Sequence, residues 1–249
     1  MNLVIMGLYK EVERCDMKDF SQVLGSLARL VQYSGSASEK SDPLLLIGVH
    51  FLRGLILALV AGLTLWIVRH PILSPLLATV TVSLARGFLL NWRDRLVPWR
   101  LLGLYFPGLG EGVRSGSEQY FQTSLMNWVI LVRPALYFFI LQSGCWYWLL
   151  PVSVLAGAFG HELTSHTTSG KTEWQPWAAA VIITLLVLLA GKFHSTGLVY
   201  FPIGLLTCIA TWLLSTWMKR LPVRPQNLLN AVYLGELAVC LFFLIGIAF

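Results

Sequence analysis

Charge is the scarcest commodity in this chain. Asp, Glu, Lys and Arg together supply 12% of its 249 residues, about half of the roughly 25% usual in a soluble domain. Such a composition leaves a water-facing surface without its normal cover and argues against a soluble globular enzyme. Cysteine is equally sparse: Cys15, Cys145, Cys208 and Cys240 show no C-x-x-C spacing, so neither a disulfide framework nor a zinc knuckle is indicated. The opening "MNLVIMGLYKEVERCDMKDF" has no basic region ahead of its short apolar run, and no cleaved leader is expected. A P-loop pattern is missing, as is H-E-x-x-H: His161 and His166 in "GHELTSHTTSGKTEW" are five apart, too far round a helix to share one zinc. That stretch is expected to be a solvated loop. Nothing resembles a nucleic-acid motif.

What fills the space is apolar. Hydrophobic residues make up 56% of the chain and the mean hydropathy is +0.70. A helix crosses the roughly 30 Å hydrocarbon core with about 20 such residues. Seven segments meet or approach that length: 43–69, 72–92, 124–142, 145–160, 176–190, 197–218 and 228–249. The predicted fold is therefore an all-α, polytopic membrane bundle of about seven transmembrane helices over 43–249. Pro71, Pro75, Pro134, Pro151 and Pro202 are expected to delimit or kink helices. Residues 1–42 are predicted to form a polar segment whose Phe20, Val23, Leu24, Leu27, Leu30 and Val31 recur at amphipathic helical spacing.

Basic residues fix the expected orientation. Thirteen Lys and Arg fall on the side of the N terminus and two, Arg69 and Lys192, on the other, which places the N terminus in the cytoplasm of a cell-membrane protein. The connection 93–123 is then the longest cytoplasmic loop. Its glycines and arginines suit either a flexible surface loop or contact with phosphate. The expected partners are membrane lipid and an anionic, phosphate-bearing small molecule.

Four ionisable residues lie inside the spans, where charge is costly and usually faces a cavity or a partner. Counting about 1.5 Å per residue from the cytoplasmic ends puts Arg53, Arg86, Arg133 and Glu236 at roughly one depth. Two arrangements are open: a hydrated pocket with a positive balance, suited to phosphate, or a structural bridge from Glu236 to one arginine while the others snorkel to the headgroups.

Three stretches in order, "ARGFLLNWRDRLVPW", "SGSEQYFQTSLMNWVILVRPALYF" and "PQNLLNAVYLGELAVCLFFL", resemble the cobalamin synthases, membrane enzymes that join adenosylcobinamide-GDP to α-ribazole or its 5′-phosphate and release GMP with magnesium. The resemblance covers most of 44–249. Carried over by position, the family's first-motif carboxylates fall on Asn91, Arg95 and Pro98, with Asp94 one place out of register. The later aspartates fall near Ser115 and on Gln226, the first glutamate of the last motif on Tyr233, and only Glu236 keeps its acid. The resemblance implies a transferase in which Asp94 and Glu236 take metal or acid-base duty with Mg2+. Arg86, Arg93, Arg95, Arg133 and Asn91 would hold the phosphates. The lost carboxylates leave open a catalytically degenerate binding protein, and an unrelated small transporter is the further alternative.

Overall fold

The computed structural model describes residues 43–90, 97–105, 130–165, 174–191, 197–221, 225 and 227–248. Over these residues it is helical, with no strand. Helix α1 runs Pro43–Ile67, α2 Leu73–Leu89, α3 Val97–Tyr105, α4 Ile130–Gln142, α5 Leu149–Thr164, α6 Trp174–Gly191, α7 Gly197–Lys219 and α8 Leu228–Ala248. Seven of these eight fall on the seven apolar segments. The eighth, α3, lies within the connection 93–123, part of which is thus ordered helix rather than flexible loop. The expected amphipathic helix of 1–42 lies outside the described residues.

Local chemistry ends these helices where they end. After α4, Gly144 takes φ +77°, a conformation that costs glycine little. Cys145 N donates to Ile140 O and Gly144 N to Leu141 O, the paired bonds that satisfy the last carbonyls of a helix. A turn of 3-10 helix, Trp146–Trp148, then leads directly into α5. At the start of α2, His70 Nδ1 accepts from Ile72 N and Leu73 N at 3.4 and 3.2 Å. At the start of α8, Asn227 Oδ1 accepts from Leu229 N at 2.8 Å, meeting one of the donors that a helix start leaves open.

Helix α5 is the axis of the bundle. Fourteen of its 16 residues are buried, as expected for a helix apolar on every side, and α1, α6, α7 and α8 all pack against it. Small residues bring the backbones together. A Cβ on Gly54 of α1 would stand 2.8 Å from Leu150 Cα, and one on Gly235 of α8 3.0 Å from Ala156 Cα, so neither site admits a side chain without moving a helix. This is the packing mode of helices in lipid, where close approach replaces the hydrophobic effect. Helix α2 packs on α1, while Tyr137, Ile140 and Leu141 of α4 join the same core.

The exterior carries many large apolar side chains as well. Leu59, Leu63 and Trp66 of α1, Ile182 and Leu186 of α6, and Leu206, Leu213 and Trp217 of α7 are all more than half exposed. Apolar surface on that scale is not left to water. Helices α1, α7 and α8 are long and apolar enough to cross a membrane, which marks the chain as a helical membrane protein.

The segment "GHELTSHTTSGKTEW" departs from expectation. Instead of becoming a solvated loop after Gly160, α5 continues to Thr164 and buries Glu162 and Leu163. The reason is electrostatic: Lys219 Nζ at the end of α7 meets Glu162 Oε1 at 2.8 Å, so the carboxylate leaves water with a partner. His166 lies outside the described residues.

Candidate functional site

Glu236 sits at the centre of the site. Two turns into α8, its side chain is 1% exposed, next to Gly235, where α8 packs closely on α5. Burying a carboxylate costs several kcal/mol unless it is paired, and two helices supply the pairing. Arg86 Nη1, from the last turn of α2, lies 2.5 Å from Glu236 Oε1, and Arg133 Nη1, from α4, lies 3.9 Å from Oε2. The guanidinium of Arg133 also stands 5.0 Å over the ring of Tyr233, one turn before Glu236 on the same face of α8. Such a cation–π contact favours the charged group where water is thin.

A second arginine layer comes from α1. Arg53 is 4% exposed, so it does not reach out to headgroups. One turn earlier, His50 is 2% exposed, and both Arg53 and Arg86 act on it electrostatically. Its ring fits a notch in α5: a Cβ on Gly157 would come within 2.6 Å of His50 Cδ2. Tyr137 of α4, fully buried, is under the combined influence of Glu236, Arg86 and Arg133. Residues from α1, α2, α4 and α8 thus converge on one level of the bundle.

The cluster is not closed upon itself. Glu236 Oε2 and His50 Nε2 are buried without a hydrogen-bond partner, as is Asn230 Oδ1 lower on α8. The large majority of buried side-chain polar atoms in proteins are satisfied by protein or water. The 3.9 Å separation between Arg133 Nη1 and Glu236 Oε2 exceeds hydrogen-bond length and is a gap that a water, accepting from the guanidinium and donating to the carboxylate, bridges well.

Helix α3 covers the site from the side. Val97 and Leu101 pack with Leu90 of α2 and with Leu229 and Tyr233 of α8 in a small core of their own, with Tyr105 at its edge. The Tyr105 hydroxyl is buried without a partner, and desolvation raises its pKa above the ordinary phenol range. The connection 93–123 therefore reaches the site through the residue that carries the Arg133 guanidinium, Tyr233.

Of the residues singled out in the sequence, Arg86, Arg133 and Glu236 come together, and Arg53 is buried on α1 one turn from His50. Asn91, Arg93, Asp94 and Arg95 lie outside the described residues. His50, Tyr137 and Asn230 were not anticipated. His50 carried a signal, being a histidine one turn before Arg53 in an apolar helix; a tyrosine or asparagine in such a helix is too common to stand out.

The described part of the site is a poor fit for Mg2+. Magnesium wants carboxylate oxygens and waters in an octahedron, whereas the Glu236 carboxylate faces two guanidiniums. No group of three or more His, Cys, Asp or Glu gathers anywhere among the described residues. Guanidiniums, each offering five fixed N–H donors, are instead matched to phosphate and carboxylate. No family, curated protein or solved structure matches this chain.

Proposed function

We propose that this chain is a seven-span membrane protein, N terminus in the cytoplasm, that binds an anionic, phosphate-bearing small molecule at the cluster of Arg53, Arg86, Arg133 and Glu236. The observation that carries the reading is the convergence of two guanidiniums, Arg86 and the half-buried Arg133, from two helices on the one buried carboxylate of Glu236, with Arg53 buried beside His50 on α1. A purely structural bridge needs one arginine for one glutamate. Two guanidiniums on one carboxylate, with a third on α1, leave a net positive charge inside an apolar bundle, which suits a further, phosphate-bearing anion. The orientation rests on the asymmetry of Lys and Arg; the pairing of Glu162 with Lys219 sets the C-terminal ends of α5 and α7 at one level, on whichever side that is.

The resemblance to cobalamin synthases nominates the pyrophosphate of adenosylcobinamide-GDP as the ligand. The same comparison counts against transfer chemistry, because Glu236 is engaged by arginines and the family's other acidic positions fall on Asn91, Arg95, Pro98, near Ser115, on Gln226 and on Tyr233, with Asp94 one place out of register. The reading is thus a binding protein related in form to a transferase. Purified protein in nanodiscs should bind adenosylcobinamide-GDP saturably and release no GMP when ribazole phosphate and magnesium are added. Release of GMP would restore the enzyme reading, and absence of binding in folded protein would remove both.

A further inference from the structure

A second site lies on the outer flank of the bundle, away from the arginines. Helices α6 and α7 pack side by side, but between them a cleft of about 440 Å³ remains, lined by apolar residues that include Trp174, Trp177, Ile182, Leu205, Cys208 and Trp212. Its volume is in the range that holds a ligand rather than a stray water. Trp174, Ile182, Leu205 and Trp212 are exposed at its mouth, so the cleft opens toward whatever surrounds α6 and α7.

Polar features at one end say what that occupant is. Trp174 and Trp177 stand in the first turn of α6, and Trp212 in the last third of α7, followed by Trp217, Lys219 and Arg220. Tryptophan gathers at the level of lipid headgroups, and basic residues beyond it attract anionic ones. Trp177 is 6% exposed, and its indole N–H is buried without an acceptor. Trp177 lines the cleft, and a turn of its ring toward the cleft lets an ester carbonyl at the top of an acyl chain accept from that donor, which an acyl chain alone would leave unmet. Arg220 is exposed just past the helix end, about 12 Å along the axis from Trp212, the distance expected from chain to headgroup.

We propose that the α6–α7 cleft is a binding site for one anionic phospholipid, with an acyl chain between the helices, an ester carbonyl on Trp177 Nε1 and the headgroup phosphate at Arg220. The site rests on α7 crossing the bilayer and is independent of the arginine cluster. It distinguishes a retained lipid from the freely exchanging annulus by its headgroup preference.

Native mass spectrometry of the detergent-purified chain, incubated with phosphatidylglycerol or phosphatidylcholine of identical chains, reads the site directly. One phosphatidylglycerol per chain should be retained in preference to phosphatidylcholine. Arg220→Gln, an exposed change that leaves the packing alone, should lower phosphatidylglycerol retention about fivefold, toward the phosphatidylcholine level. Trp177→Phe should weaken both lipids about fivefold, and Ala178→Phe, which fills the cleft, should abolish retention. Equal retention of the two lipids, indifference to Arg220→Gln and Ala178→Phe, or a second copy of the chain in place of lipid would each overturn the proposal. Alkaline extraction of membranes tests the underlying placement separately, since a protein that stays in the membrane yet shows no lipid preference contradicts this site alone.

Discussion

Glu236→Gln keeps the shape of the side chain and removes only its charge, so it isolates what the carboxylate does for the two arginines. Arg86 and Arg133 lie 2.5 and 3.9 Å from it, and each pair is worth about 4 kcal/mol at a separation of about 4 Å and an effective dielectric of about 20. Part of that gain is offset by the desolvation that the carboxylate no longer suffers, and the amide oxygen still accepts from Arg86. The net expectation is a loss of about 3–5 kcal/mol, the range for stripping one partner from a buried pair. For a chain of this length that corresponds to a fall in Tm of about 6–20 °C, read by tryptophan fluorescence on heating the detergent-purified protein. The variant should also respond to anions more than the parent does. With the carboxylate gone, inorganic phosphate meets no repulsion at the arginines, and at about a hundred times its Kd it returns about 2.7 kcal/mol. A Glu236→Gln protein with the parent Tm would refute the buried pairing, and a destabilised one that phosphate stabilises no better than the parent would refute the anion pocket.

Three further expectations test the surroundings. Gly157→Ala places a methyl within 2.6 Å of the His50 ring and should cost about 1–3 kcal/mol by overpacking, measured as a lower Tm. Tyr105→Phe removes a buried hydroxyl that has no partner, so thermal melting should show no loss of stability, and a drop of more than about 1 kcal/mol would reveal a hydrogen bond that the structure does not hold. Asn227→Ala deletes the side-chain oxygen that caps α8 and should lower stability by about 1 kcal/mol, with glycine at the same position costing only a few tenths.

The helices were legible because apolar length alone announces them. The level shared by Arg86, Arg133 and Glu236 could be counted from the helix ends, since rise per residue is fixed and charges in apolar helices are few. The burial of Arg53 was open, because snorkelling depends on which face of α1 meets α5, and Gly54 and Gly157 decide that only once the helices are docked. Helix α3 was hidden by its setting in a glycine-rich connection, although Val97, Leu101 and Tyr105 already stood four residues apart. Glu162 looked solvated because its partner, Lys219, is 57 positions away. Contacts of that kind are made by the fold and leave no local trace.

The central claim is that the arginine cluster binds an anion without the help of a metal. Calorimetric titration of pyrophosphate into the purified chain in the presence of a magnesium chelator tests it most directly. Saturable binding at one site per chain is predicted, weakened about tenfold or more by Arg133→Leu, as the loss of a charge-assisted hydrogen bond of about 1.5–3 kcal/mol requires. Folded protein that binds no pyrophosphate until magnesium is added would contradict it.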